Sequence, residues 1–194
     1  MGQALAKPDF DRAAYFEWEA ARDDKHEYLA GEVFAMVGAR QEHVVVALTL
    51  ASLFRAHLRG TRCRAYVSDM KLEIDAADAV FYPDVMVSCD EDDRRASLAL
   101  HSPCLVVEVL SDSTAAGDRG AKFAAYRLIP ALRDYLLVDI DARRLELYSR
   151  QSEGWLLRES TSAQPWVELG SIGLTLTSDD TFGDLDEAPP AAAD

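Results

Sequence analysis

The sequence predicts an α/β fold, α+β-like in its order of elements, with a central mixed sheet flanked by helices. Residues 105–111 are short and rich in Val and Leu, which is typical of a strand buried on both faces. A predicted helix over 118–128 and a second apolar strand over 135–139 follow, so the three segments form a βαβ crossover with parallel strands. The segments before the crossover can pair antiparallel through short turns, which makes the sheet mixed.

The other elements follow from spacing and turn residues. We expect a first helix capped by Asp9 or Asp11, a hairpin over 26–36 and a long helix over 42–58, where apolar residues recur at helical intervals. Further strands are predicted over 64–74, 80–89, 144–148, 155–159 and 166–169. Pro83 lies inside one of them and indicates a bulge or a strand end, because proline cannot donate to the ladder.

The 194 residues predict a single domain over 1–183 and a disordered acidic tail over 184–194. We expect no transmembrane helix, because the sequence has no apolar run of membrane-spanning length. The N-terminus lacks the apolar core of a signal peptide. The three scattered cysteines fit free thiols in a reducing compartment, so the predicted location is the cytoplasm.

The net charge of −14 argues against a surface built for non-specific binding to nucleic acid. It leaves room for a local basic rim, or for a cation held at an acidic site. Part of the excess charge falls in the loop over 90–93 and in the tail, where solvated acidic segments are common.

Glu108 is the anomalous residue of the central strand. An ionised carboxylate that is buried without a partner costs several kcal/mol or becomes protonated. Two interpretations remain open at this point: Glu108 is a metal ligand, or it lies at a frayed strand end and pairs with an arginine.

Asp84 and Glu108 lie on strands that we expect to be neighbours. Asp84 follows a proline at a predicted bulge, and bulges often redirect side chains towards functional sites. Two such carboxylates can share a divalent cation through their oxygens. Without a metal they should repel, so we expect one of the two to titrate at an abnormally high pKa. The alternative role for Asp84 is to cap a turn.

Asp118, Lys122 and Tyr126 lie at i, i+4 and i+8 on one face of the helix that follows the Glu108 strand. Lys122 can therefore project towards Glu108. The alternative is an ordinary surface pair between Asp118 and Lys122, which stabilises a helix by only ~0.3–0.5 kcal/mol. Tyr126 can equally be a half-buried aromatic residue, and His43 a surface residue at a helix start.

The order of these residues resembles the PD-(D/E)XK nuclease superfamily, and within it the Uma-two family of restriction endonuclease-like proteins. The segments that carry the resemblance span roughly residues 10–160. They are His26-Glu27-Tyr28-Leu29-Ala30-Gly31-Glu32, His43, Tyr82-Pro83-Asp84-Val85, Val106-Val107-Glu108-Val109-Leu110-Ser111, Asp118 with Lys122 and Tyr126, and Asp134-Tyr135-Leu136-Leu137-Val138-Asp139.

The resemblance implies a restriction-endonuclease-like fold and phosphodiester hydrolysis assisted by Mg²⁺, with Mn²⁺ as a possible substitute. By motif position, Asp84 and Glu108 would be the metal ligands. The sequence departs from the superfamily where Leu110 stands at the usual lysine position, two residues after the glutamate. We expect Lys122 to replace that lysine. Glu27, His43, Asp118 and Tyr126 are then the supporting residues of the site.

The implied function is that of a DNA endonuclease, acting as a homodimer because cleavage of two strands suits two-fold symmetry. The competing hypothesis is a catalytically degenerate relative that acts as an acidic interaction module. A serine hydrolase using Ser111 with His43 or His101 is disfavoured, because the Gly-x-Ser-x-Gly turn is missing from the sequence.

Overall fold

The computed structural model describes residues 11–36, 38–111 and 114–186. The helices are α1 (Arg12–Ala20), α2 (Gln41–His57), α3 (Ala115–Gly117), α4 (Phe123–Tyr126) and α5 (Ser178–Asp186). A π-helical turn over Asp118–Lys122 joins α3 and α4 into one continuous helix. Asp11 is the cap of α1, because its side chain accepts a hydrogen bond from the Ala14 amide. Asp9 lies outside the described residues.

The strands lie in three sheets. In chain order they are β1 (His26–Leu29), β2 (Glu32–Ala35), β3 (Arg64–Val67), β4 (Lys71–Ile74), β5 (Ala79–Phe81), β6 (Val85–Ser88), β7 (Ala99–Leu100), β8 (Pro103–Val109), β9 (Asp134–Asp139), β10 (Arg144–Gln151), β11 (Gly154–Glu159), β12 (Trp166–Leu169) and β13 (Leu174–Thr177). The central sheet has the order β11-β10-β9-β8-β6-β3, and the second has the order β2-β1-β5-β4-β7. Strands β12 and β13 form a separate pair.

The predicted fold class is confirmed. Strands β8 and β9 run parallel across the predicted crossover, whereas β6 pairs with β8 antiparallel, so the central sheet is mixed. Helix α2 packs on one face of this sheet through Val46, Leu50 and Phe54. Helix α4 packs on the other face, where the second sheet also contributes to the core. The alternation of β8 therefore sends successive side chains into two different cores.

Two of the strands predicted from the sequence are each divided into two shorter strands in the structure. The range 64–74 divides into β3 and β4, and the range 80–89 divides into β5 and β6; each division takes the chain from one sheet to the other. The first break is a turn closed by the Met70 amide on the Val67 carbonyl. The second break contains Pro83, which has no amide to donate. Asp84 therefore lies where the chain passes between the two sheets.

Two further predictions differ from the structure, one on the pairing of a strand and one on where the ordered chain ends. The strand predicted over 166–169, β12, pairs with β13, and this pair is separate from the central sheet that contains β10 and β11. Helix α5 continues through Asp184–Asp186, so the predicted start of the disordered tail is wrong by these three residues; residues 187–194 lie outside the described part. Among the described helices, none is both long and apolar enough to cross a membrane.

The prediction of three free cysteines is wrong. Cys63 and Cys89 form a disulfide between the residues that flank paired strands β3 and β6, and Cys104 is the free thiol. The pairing of Arg64 with Ser88 sets these two cysteines opposite each other, which the scattered spacing did not reveal. The cysteines therefore no longer support a reducing compartment, because structural disulfides are rare there.

We predict that Cys63→Ser lowers the free energy of unfolding by about 3 kcal/mol, because the disulfide restricts the unfolded chain. Urea denaturation without reductant measures the loss. Cys104→Ala, which keeps the disulfide, is the matched control and should retain the response to reductant. A wild type whose stability is the same with and without reductant would show that the bond contributes nothing.

Candidate active site

Asp84 is placed beside Glu108 by the register of the central sheet. Val85 pairs with Val107 in the antiparallel β6–β8 ladder, so the next pair outward is Asp84 with Glu108. Asp84 Oδ2 accepts a hydrogen bond of 2.8 Å from the Val109 amide. The predicted adjacency of the two carboxylate-bearing segments is thus a property of the backbone ladder.

His43 contacts the other oxygen of Asp84. The residue lies in the first turn of α2, and its Nε2 is 2.9 Å from Asp84 Oδ1. Burial acts to lower the pKa of His43, but the hydrogen bond and the charge of Asp84 outweigh it, and the pKa is raised. The Asp84 carboxylate is therefore fixed from both sides, by a strand amide and by an imidazole.

Glu108 points to the face of the sheet that carries α4. Its neighbours on that face, Val106 and Leu110, are part of the same apolar core as Tyr126. Glu108 Oε1 accepts a hydrogen bond of 2.6 Å from the Tyr126 hydroxyl and lies 3.2 Å from Lys122 Nζ. Leu110, at the usual lysine position of the superfamily, is a core residue here. The amino group reaches Glu108 from the helix instead.

Lys122 is the centre of the cluster. Its Nζ lies 2.8 Å from Glu27 Oε1, 3.2 Å from Glu108 Oε1 and 3.5 Å from Asp118 Oδ1. Only 7% of the lysine side chain is exposed. The three carboxylates come from β1, from β8 and from the π-helical turn that carries Lys122 itself. Single turns of this kind are frequent at functional sites.

The cluster contains more acid than base. Asp118 Oδ1 is buried and has no hydrogen-bond partner among the described residues. Burial raises the pKa of Asp118, while Lys122 opposes the rise. Burial also raises the pKa of Glu108 well above its ordinary range, against the opposing charge of Lys122 and with added repulsion from Asp118 and Asp84. Glu108 thus has the raised pKa expected of one of the two carboxyls, but burial is its main cause.

The pKa of Lys122 is raised well above its ordinary value. Burial alone would lower this pKa, and Glu108, Glu27 and Asp118 together reverse the effect. Lys122 is therefore protonated in the resting cluster, and burial favours the protonated form of Glu108 beside it. The pKa of Tyr126 is also raised, first by burial and then by Glu108, so its hydroxyl keeps its proton and donates it.

The structure brings together all seven residues that the sequence singled out, and adds contacts that sequence reasoning missed. The Tyr82 amide donates to Glu27 Oε1 over 3.2 Å, and the Tyr135 hydroxyl donates to the Asp118 carbonyl over 3.0 Å. The Phe81 ring lies 5.6 Å from Lys122 Nζ. Hydrogen bonds from backbone amides leave no signal in a sequence. Nothing in the sequence distinguishes Tyr135 from the other apolar residues of its strand as a residue of the site.

The side chains that could bind a metal ion do not surround one common position. Within the ranges 11–36, 38–111 and 114–186, no group of three or more His, Cys, Asp or Glu side chains is arranged to hold a metal ion. Lys122 lies among the carboxylates instead. A cation at this site would therefore take part of its ligands from water or from a phosphate, which is common for Mg²⁺.

Comparisons with known proteins identify the family and the fold of the chain. A family model described as "Uma2: Putative restriction endonuclease" matches residues 12–178. An uncharacterized protein of Synechocystis sp. is 41% identical over 172 residues, which cover 89% of this chain and 90% of the relative. A second uncharacterized protein of the same organism is 36% identical over 159 residues, which cover 80% of this chain and 90% of the relative.

A solved structure shares the fold. The crystal structure of a "putative nuclease" from Anabaena variabilis superposes with a TM-score of 0.69 at 18% identity, covering 84% of this chain and 92% of that one. The family match contains Glu27, His43, Asp84, Glu108 and Lys122 within its limits. The chain therefore belongs to the Uma2 family, whose members are described as putative restriction endonucleases.

Proposed function

We propose that the protein is a metal-dependent phosphodiester hydrolase, a DNA endonuclease that uses Mg²⁺ or, in its place, Mn²⁺. The observation that carries the proposal is a buried lysine within 3.5 Å of three carboxylates, beside a strand pair that sets Asp84 next to Glu108. The description of the Uma2 family as restriction endonucleases supports the same reaction class. A homodimer working in the cytoplasm completes the proposal, since two sites related by two-fold symmetry suit two-strand cleavage.

The residues fit a hard divalent cation. Mg²⁺ prefers oxygen ligands and keeps several waters. Asp84, Glu108 and Asp118 supply carboxylate oxygens, and one buried oxygen of Asp118 lacks a hydrogen bond. A single lysine does not balance these groups, and repulsion from Asp118 and Asp84 adds to the effect of burial in raising the pKa of Glu108. A cation would take the place of the proton that the cluster otherwise retains.

Asp84 and Glu108 would hold the ion. When bound, the ion would polarise the phosphate and lower the pKa of an attacking water. Asp84 is oriented for this role by the Val109 amide and by His43, and Glu108 by the Tyr126 hydroxyl. Ligands fixed in this way lose little conformational entropy on binding, because their rotamers are already set.

Lys122 would orient the attacking water and offset the negative charge that develops on the phosphate. Glu27 holds the lysine from the opposite side, at a shorter distance than Glu108 does. Leu110 cannot perform this task, so the helix supplies what the strand lacks. Lys122 keeps its proton in the resting cluster and thus donates to a phosphate oxygen as a cation.

We predict that Mg²⁺ binds more tightly as the pH rises. Burial raises the pKa of Glu108, so the metal-free protein holds a proton there that must leave before the carboxylate can act as a ligand. Calorimetric titrations in two buffers of different ionisation enthalpy should reveal proton release, and affinity should level off above the pKa of Glu108. An affinity that does not change with pH, together with no released proton, would contradict this linkage.

Cleavage of supercoiled plasmid tests the function itself. The wild type should convert the plasmid to nicked and linear forms with Mg²⁺ or Mn²⁺ and leave it intact with chelator. Asp84→Asn should be inactive, while Asp139→Asn, at the end of β9, serves as a carboxylate control and should remain active. Activity that survives in Asp84→Asn would rule out this site as its source.

The second candidate is a catalytically degenerate acidic interaction module. Leu110 at the superfamily's lysine position and the absence of a pre-assembled donor group among the described residues favour it. This candidate predicts a folded wild type that binds no divalent ion and leaves every plasmid form intact. The cleavage assay therefore separates the two candidates.

A further inference from the structure

A groove of about 570 Å³ follows the outer edge of the central sheet. Its floor is β3, which ends the sheet order and has no pairing partner on its outer side among the described strands. One wall is the face of α2 that carries Leu48 and Arg55; the other is formed by Lys71 and Leu98. The groove therefore has walls on both faces of the sheet and an open strand edge between them.

The two walls belong to different layers of the fold. On β3, Ala65 packs towards the core under α2, whereas Tyr66 packs towards the opposite core. Side chains that alternate in this way would be matched by a guest strand whose residues also alternate between the two faces. The shape therefore suits one added strand rather than a helix or a compact ligand.

Exposed apolar side chains surround the edge. Leu48 and Leu98 are 64% and 65% exposed, and Val67 of β3 itself is 46% exposed. The Cys63–Cys89 disulfide adjoins the start of β3 and ties it to β6, so the open edge is held in position before any partner arrives.

The charged residues that line the groove indicate which class of partner it can bind. Arg55 and Lys71 line the groove, and its one carboxylate, Asp69, is paired with Lys25. The groove is thus basic in a chain of net charge −14. A second copy presenting the same edge would bring another basic groove, with its own Arg55 and Lys71, and would offer no acidic flanks to pair with these residues.

We propose that the β3 edge is a docking site for an extended peptide strand of another protein, apolar at its centre and acidic at its flanks. The guest would add to the central sheet through backbone hydrogen bonds, as in other cases of strand addition. Its apolar side chains would contact Leu48 and Val67 on one face and Leu98 on the other. Its acidic flanks would pair with Arg55 and Lys71. This site is separate from the cluster around Lys122, so the proposal does not depend on catalysis.

The test is calorimetric binding of a synthetic probe peptide, Glu-Val-Thr-Val-Val-Glu, to the full-length protein; its valines fall on both faces of the strand and its two glutamates on opposite faces. We expect it to bind at least about tenfold more tightly than the same peptide with lysine flanks, since opposite charges set the preference. A peptide with a central proline should not bind, because the strand would lose a backbone donor. Equal binding of the acidic and basic peptides, or no binding of either, would overturn the proposal.

Variants and hydrogen exchange locate the site. Leu48→Asp and Leu98→Asp, one on each wall and both at exposed positions, should weaken binding by at least about tenfold. Leu156→Asp, on the exposed part of β11, is the matched control and should bind as the wild type does. The peptide should slow exchange of the β3 amides in a concentration-dependent manner. Protection of β11 instead, or protection of β3 by self-association without peptide, would contradict the assignment.

Discussion

Lys122→Met is expected to lower the rate of DNA cleavage by about 10³-fold or more, the scale of losing one charge-stabilising donor or one acid–base group. Methionine keeps most of the side-chain volume and removes the amino group that lies 3.2 Å from Glu108 Oε1. Single-turnover cleavage of plasmid, with protein in excess, measures the chemical step. Arg158→Met, which removes an exposed cation on the edge strand β11, three strands away from β8, is the control and should cleave at the wild-type rate.

A second variant separates the role of Lys122 from simple damage to the cluster. Leu110→Lys combined with Lys122→Met moves the amino group to the superfamily's usual position, on the same face of β8 as Glu108. We expect this double variant to recover part of the lost rate. If Lys122→Met alone cleaves DNA as fast as the wild type, the lysine has no part in the reaction.

Removing Lys122 is also expected to destabilise the protein by about 3–5 kcal/mol, because three buried carboxylates lose the only cation within reach of them in the described structure. The loss should shrink as the pH falls, since protonated carboxyls no longer need a counter-charge. The folded protein binds more protons than the unfolded chain at Glu108, and that difference favours the folded state at low pH. Urea denaturation at several pH values measures both effects.

The matched control for this stability prediction is Arg95→Met. Arg95 forms an ion pair with Asp92 at the surface, and such exposed pairs contribute less than about 1 kcal/mol. The double variant Glu108→Gln/Lys122→Met should lose less stability than Lys122→Met alone, because one buried charge is removed with its partner. Equal losses for the single and double variants would show that Lys122 and Glu108 are not coupled.

Much of the fold and of the site was predictable because both depend on local patterns. The apolar run around Glu108, the helix after it and the strand over 135–139 give the parallel crossover. Helical spacing correctly set Asp118, Lys122 and Tyr126 on one side, and the structure puts all three near Glu108. A lone acid in an apolar strand was informative because burying it requires partners.

The remaining features depend on contacts between distant segments, which the sequence pattern does not encode. The division of 64–74 and 80–89 between two sheets follows from pairings that only the folded chain reveals. The Cys63–Cys89 bond follows from the β3–β6 register. Glu27 entered the predicted site only through the family resemblance, because its contact with Lys122 requires the hairpin to lie beside the helix.

The most direct test of the proposed site is calorimetric titration of Mg²⁺ into the wild type and into Glu108→Gln, each alone and with a DNA duplex present. We predict one saturable site in the wild type that is lost in Glu108→Gln, because the variant removes a charged oxygen ligand and keeps the shape of the side chain. A wild type that binds no Mg²⁺ even with DNA, or a Glu108→Gln variant that binds it equally well, would contradict the proposal that these carboxylates form a metal-dependent nuclease site.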